Sequence, residues 1–188
     1  MVINESGLVK AMKASYKDGY HVAAGIIGDQ EYMMIVSYGY TWAVAVQRDN
    51  VPRKVLGLIA EHLCKIPENG EAYKLQRDED PQEELYHVAT EPLYRMIDEV
   101  SAPEGLPRVF KTKLVYGSRN VWQQLDNLDI MLLNPRYENI SAGMNMEARR
   151  VDNCLCTQGE MSYAFICKVA PGKEEEKMIE RMGKTMWL

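Results

Sequence analysis

The sequence has little of what usually reveals a function. It contains three histidines and four cysteines in 188 residues, and no apolar run approaches the roughly 18 residues needed to span a bilayer. The segment 1–7 has no basic residue, and Lys10 and Lys13 interrupt the stretch that follows, so no secretory signal is predicted. We therefore expect a cytoplasmic protein that does not enter a membrane and whose cysteines are free thiols.

Motifs for common chemistries are missing as well. There is no Gly-X-Ser-X-Gly sequence, and no Lys-Ser or Lys-Thr follows the two glycines of 25–29 to build a phosphate loop. Cys154 and Cys156 share a strand face in the predicted structure, and Cys167 on the neighbouring strand can approach them. Structural zinc sites usually have wider spacing, on a turn, and the histidines are distant in sequence. We predict no metal and no cofactor, and we interpret these thiols as small buried apolar side chains.

The composition is that of a globular protein. Hydrophobic residues make up 46% of the chain and charged residues 26%, which are ordinary values for a packed domain. We therefore predict a single compact domain over 1–188. The segment 101–107 contains two prolines and a glycine, so an alternative has two halves, 1–100 and 108–188, with a hinge between them.

The patterning predicts an α+β fold, mainly antiparallel sheet(s) with four or five helices. The first half has the order α-β-β-β-α, with a helix over 7–17 and three strands over 20–47. The second helix is predicted from its apolar stripe, with Asn50 as its cap and Pro67 at its end. That stripe consists of Val55, Leu56, Ile59, Leu63 and Ile66.

Later elements are predicted from weaker signals. Residues 85–89 have the composition of a short strand, after which Thr90 is expected to cap a helix with Pro92 in its first turn. Ser118 is expected to cap a helix that contains Trp122. Strands are predicted within 140–151, 153–157 and 161–170, and a final helix over 172–186.

Negative charge is concentrated in the middle of the chain. The net charge is −5, and residues 61–107 alone contain twelve acidic and four basic side chains. Five of the acidic ones fall in a predicted exposed loop: Asp78, Glu79, Asp80, Glu83 and Glu84. Such a loop can attract a protein with a basic surface, or it can simply be solvated. The overall charge makes nucleic acid an unlikely direct ligand, although 108–116 alternates basic and aromatic residues in a way that suits base stacking.

The last predicted helix has one apolar stripe among many charges. The stripe consists of Met178, Ile179, Met182 and Met186. It can pack on the protein's own core or form the seam of a homodimer, since flexible methionines adapt to either surface.

Three functional hypotheses follow. The first is a non-enzymatic protein-binding or regulatory protein; its narrow form is a phage or mobile-element inhibitor, of the kind that includes anti-CRISPR proteins, blocking a nucleic-acid-binding protein with an acidic surface. The second is an enzyme or small-molecule-binding protein with a cleft between the halves, where His62, His87 and Cys154 can titrate or attack near neutral pH. The third is a homodimeric structural or regulatory subunit.

Overall fold

The computed structural model describes residues 2–102, 104–113, 120–124, 129–142 and 147–185. The helices are α1 (Glu5–Ser15), α2 (Arg53–Leu63), α3 (Tyr86–Ser101), α4 (Pro135–Glu138) and α5 (Lys173–Thr185). The strands are β1 (Tyr20–Ile27), β2 (Gln30–Ser37), β3 (Trp42–Gln47), β4 (Ala72–Leu75), β5 (Gln82–Glu83), β6 (Val109–Lys113), β7 (Asn120–Gln124), β8 (Ile130–Leu132), β9 (Glu147–Val151), β10 (Cys154–Gln158) and β11 (Ser162–Cys167).

Eight of these strands form one antiparallel sheet in the order β5-β4-β1-β2-β3-β11-β10-β9. A smaller antiparallel sheet has the order β6-β7-β8. The α+β prediction is therefore confirmed, including the order α1-β1-β2-β3-α2 in the first half. Because β11 pairs with β3, strands from both sides of the segment 101–107 belong to the same sheet.

The large sheet is covered on both faces because alternate residues of each strand point to opposite sides. One face, which we call the first face, packs against α1 and α2 and is rich in large side chains such as Trp42, Met33 and Ile35. The second face packs against α3 and contains many small side chains, among them Ala23 and Ala45. The side chains on both faces of the central strands are buried, so the large sheet is the middle layer of three.

Helix α3 lies very close to the sheet at its first turn. The hydroxyl of Tyr86 occupies the place where a Cβ atom at Gly25 would stand, 1.6 Å from that ideal position. The same hydroxyl is 2.6 Å from the hydroxyl of Tyr94, which donates to the carbonyl of Ile26 at 2.9 Å. A glycine in β1 is thus what allows the start of α3 to reach the strand.

Several local predictions were wrong. Helix α2 ends at Leu63, so Ile66 and Pro67 lie beyond it, and Ile140 lies in a short 3₁₀ helix rather than in a strand. Residues 86–89 belong to α3 rather than to a strand, so Thr90 lies inside the helix, where its Oγ1 donates to the carbonyl of Tyr86 at 2.7 Å. The N-cap residue of α2 is Pro52 rather than Asn50. Trp122 lies in β7 rather than in a helix, and Ser118 lies outside the described residues.

Within the described parts of the chain, no helix has the length and apolar character needed to cross a membrane.

Candidate protein-binding edge

The acidic residues predicted as an exposed loop lie at one border of the large sheet. Strand β5 is the outermost strand and pairs only along two residues with β4, where Tyr73 faces Glu83 and Lys74 faces Gln82. We use the name acidic edge for the five carboxylates of this border, which are Asp78, Glu79, Asp80, Glu83 and Glu84. Four of them are exposed and Glu84 is partly buried.

The backbone of the acidic edge is anchored at both ends. The amide of Arg77 donates to the carbonyl of Tyr16 at 2.8 Å, and the amide of Glu84 donates to Ala72 at 2.8 Å. Between these anchors Asp78 adopts a left-handed conformation, with φ 62°, which aspartate tolerates better than most residues. The charges are therefore displayed on a connection whose ends are held by the core.

None of these five carboxylates forms an ion pair with any residue that the structure describes. The nearby Lys74 places its ammonium 4.7 Å from the centre of the Tyr38 ring. Lys65 instead binds Glu71 at 2.8 Å, and this contact raises the pKa of Lys65. The pKa of Glu71 is lowered first by the backbone amide of Glu68, which donates to its carboxylate at 2.9 Å, and then by Lys65. Neither Lys65 nor Lys74 forms an ion pair with the acidic edge, and four of its five carboxylates face solvent.

Exposed apolar side chains adjoin the acidic edge at the start of α3. Leu85 is 66% exposed and Val88 is 50% exposed, and His87 between them is exposed as well. We call Leu85 and Val88 the apolar shoulder. Sequence reasoning missed it because 85–89 was interpreted as a strand, in which alternate side chains would be buried. An apolar patch rimmed by charge is typical of protein interfaces.

A buried histidine lies behind the acidic edge. His21 on β1 is only 8% exposed and faces Lys74 across the strand pair, and none of the described residues forms a hydrogen bond with its Nδ1. Burial lowers the pKa of His21; the charge of Glu84 opposes this shift and that of Lys74 adds to it. His21 is therefore neutral at neutral pH and adds no positive charge to this border.

The three groups considered for catalysis lie in separate places. His62 is on α2 at the first face, where its ring stacks on Tyr16 at 3.7 Å and its Nδ1 lies 2.8 Å from the hydroxyl of Tyr20. His87 is exposed in the first turn of α3. Cys154 is buried on the second face, in β10. Strands β10 and β1 are four positions apart in the sheet, which corresponds to about 19 Å. The structure does not bring these groups together.

The basic and aromatic segment predicted to suit base stacking lies partly within β6. The ammonium of Lys111 is 2.9 Å from the carboxylate of the buried Glu138 and 5.8 Å from the centre of the Trp122 ring. The charge of Lys111 is thus paired with Glu138 although the lysine side chain is 47% exposed, and Phe110 is 39% exposed.

The apolar stripe of α5 has an intramolecular contact. Met178 and Ile179 are partly buried and pack against Leu132 of β8. Nothing is described for the side chain of Met182, and Met186 lies outside the described residues.

Within the described residues, no three histidine, cysteine or carboxylate side chains are grouped so that they could hold a metal ion. No protein-family model, no curated protein and no solved structure matches the chain.

Proposed function

We propose that this chain is a non-enzymatic regulatory protein that binds a second protein through its acidic edge. The observation that supports this proposal is the set of five carboxylates that have no cationic partner among the described residues. Unneutralised charges at one border attract a basic surface over a Debye length of about 8–10 Å. The apolar shoulder beside them supplies area that water would leave on contact.

The partner class that fits this chemistry is a protein with a basic, nucleic-acid-binding surface. Carboxylates displayed on a loop can occupy the cations that would otherwise hold phosphate groups. In its narrow form the chain is a cytoplasmic inhibitor from a phage or other mobile element, of the general kind that includes anti-CRISPR proteins.

Two matched charge variants test the proposal. The edge variant combines Asp78→Asn, Glu79→Gln, Asp80→Asn, Glu83→Gln and Glu84→Gln. The control variant neutralises five exposed carboxylates elsewhere: Asp29→Asn, Asp49→Asn, Asp98→Asn, Glu104→Gln and Glu160→Gln. Both change the formal charge from −5 by the same amount, so a difference between them reports position rather than total charge.

The readout is capture from a host lysate on the immobilised chain, with the bound proteins identified by mass spectrometry. We expect nucleic-acid-binding proteins on the native chain and on the control variant, their release by added duplex DNA or by salt, and their loss from the edge variant. Equal capture by the edge and control variants, with both folded by circular dichroism, would refute the role of the acidic edge. A separate variant, Leu85→Ser with Val88→Ser, should weaken capture without changing its salt dependence.

A further inference from the structure

The hairpin of β10 and β11 places two cysteines directly opposite each other. In the antiparallel register Cys154 faces Cys167, and the amide of Lys168 donates to the carbonyl of Asn153 at 2.7 Å just outside this pair. That hydrogen bond identifies the cysteine pair as a non-hydrogen-bonded position of the ladder, where opposite Cα atoms are about 4.5 Å apart and side chains are closest. Disulfides span Cα separations of about 4.4–6.8 Å, so the backbone is already suitably placed for a bond.

The surroundings of the two thiols differ in a useful way. Cys154 is 6% exposed, whereas Cys167 is partly exposed, so a small reagent reaches Cys167 first. In the reduced form the S–H group of Cys167 donates to the carbonyl of Tyr40 at 3.0 Å. When Cys167 ionises, the thiol of Cys154 can donate to it, which lowers the pKa of Cys167 and, together with burial, raises the pKa of Cys154.

We propose that Cys154 and Cys167 form a thiol–disulfide site that a hydroperoxide oxidises to a disulfide within the hairpin. Cys167 is the attacking residue and Cys154 is the resolving residue. The other two cysteines do not share this arrangement, because Cys156 is buried opposite Phe165 and Cys64 is exposed at the end of α2.

The reaction balances with hydrogen peroxide as the oxidant. The Cys167 thiolate attacks one peroxide oxygen, the O–O bond breaks, and the departing hydroxide takes a proton to become water while Cys167 becomes a sulfenic acid. The sulfur of Cys154 then attacks the sulfur of Cys167, the S–O bond breaks, and a second water leaves with the Cys154 proton. The two thiols lose two electrons and the peroxide gains them.

Oxidation also changes the neighbouring turn. Cys167 then has no S–H group, so the carbonyl of Tyr40 loses its donor. Tyr40 lies in a left-handed conformation, φ 58°, between β2 and β3, and it is 44% exposed. The disulfide is therefore expected to alter the β2–β3 turn as well as the hairpin itself.

The test uses the full chain, reduced and then treated with hydrogen peroxide. Thiols are alkylated under denaturing conditions and counted by mass spectrometry. We expect the loss of two of the four alkylatable thiols, a mass lower by about 2 Da before alkylation, and recovery of both thiols with dithiothreitol. Cleavage after Glu160 separates Cys167 from Cys154 and Cys156, so two joined peptides show a bond across the hairpin, and the same bond in Cys156→Ser assigns it to Cys154. Four alkylatable thiols after treatment, or a bond to Cys64 or Cys156, would overturn the proposal.

Matched variants complete the test. Cys156→Ser removes a thiol from the same strand and face and should still form the disulfide, whereas Cys167→Ser should form none. If Cys167→Ser does not fold, pairing in the native chain is compared with pairing in urea. The native chain should give predominantly the Cys154–Cys167 bond and the unfolded chain a mixture; the same mixture from both would show that the fold does not assemble this site.

Discussion

The two faces of the large sheet are packed by different means. The first face joins α1 and α2 through large apolar side chains, and its histidine, His62, is stacked on Tyr16 and bonded to Tyr20. The second face uses alanines and Gly25 to bring α3 close, and its histidine, His21, has an Nδ1 without a hydrogen-bond partner in the described part of the chain. The thiol pair lies in the same apolar cluster as residues of α3, and the acidic edge directly precedes that helix. The first face is therefore expected to contribute more to the free energy of unfolding. The groups proposed to react or to bind a partner, which are the thiol pair and the acidic edge, lie on the side of α3.

The largest expected difference in stability is between substitutions at Trp42 on the first face and at its neighbour Ala43 on the second face. Trp42 is 1% exposed and its Nε1 donates to the hydroxyl of Ser15 at 2.9 Å, so Trp42→Ala should lower the free energy of unfolding by about 3–5 kcal/mol. Ala43→Gly should cost only about 0.5–1 kcal/mol. Urea denaturation measures both, and equal losses would show that the faces contribute alike.

The next largest change in stability is expected at two glycines, Gly25 beside α3 and Gly57 in α2. Gly25→Ala places a Cβ against the Tyr86 hydroxyl and should destabilise the protein by about 1–3 kcal/mol, since α3 must shift. Gly57→Ala places a Cβ in α2 that has no described atom within 4 Å apart from its chain neighbours and its own helix backbone, and it should stabilise the protein by about 0.5–1 kcal/mol. Thermal unfolding gives the signs, and two shifts in the same direction would contradict the close approach of α3.

A smaller effect is expected from single hydroxyl groups. Tyr20→Phe removes the partner of His62 Nδ1 on the first face and should cost about 1 kcal/mol, because a buried polar atom loses its hydrogen bond. Tyr94→Phe removes a hydroxyl in a more exposed position, where water can replace it, and should cost less. A larger loss from Tyr94→Phe in urea denaturation would reverse this ranking of the faces.

The smallest effect is a dependence on pH. Burial lowers the pKa of both His21 and His62, so below the ordinary value of about 6.5 the unfolded chain takes up protons that the folded chain does not. The free energy of unfolding should therefore be highest above about pH 6.5 and decrease as the pH falls toward the lowered pKa values of the two histidines. His21→Gln and His62→Gln should each flatten this slope in urea titrations between about pH 7.5 and pH 5.5; an unchanged slope in both would contradict the shifts.

Much of the first half was predictable because its local signals agree with the tertiary structure. The largely apolar composition of β1 to β3 reflects strands that are buried on both faces, and the stripe of α2 reflects one buried side. The start of α3 was not predictable, because Tyr86, His87 and Val88 favour strands locally. In the folded protein the Tyr86 hydroxyl packs against Gly25, which is distant in sequence, and lies 2.6 Å from the hydroxyl of Tyr94 in the same helix.

The candidate sites also combine features that the local sequence predicts with features that depend on the tertiary structure. The charge of the acidic edge was visible in the sequence, and so was the approach of Cys167 to Cys154, since both follow from local pattern. The apolar shoulder was not visible, because it depends on where α3 begins. That no cation among the described residues pairs with the five carboxylates also required the positions of Lys65 and Lys74.

The pairing of β3 with β11 has a consequence during synthesis. Val46 lies opposite Ser162, the first residue of β11, and β11 leaves the ribosome long after β1, β2 and β3. Until then the nascent meander exposes the uncharged edge Trp42–Val46, a surface open to strand addition by other chains. The cell must shield this edge, or the remaining chain must arrive quickly, for newly made molecules to escape aggregation.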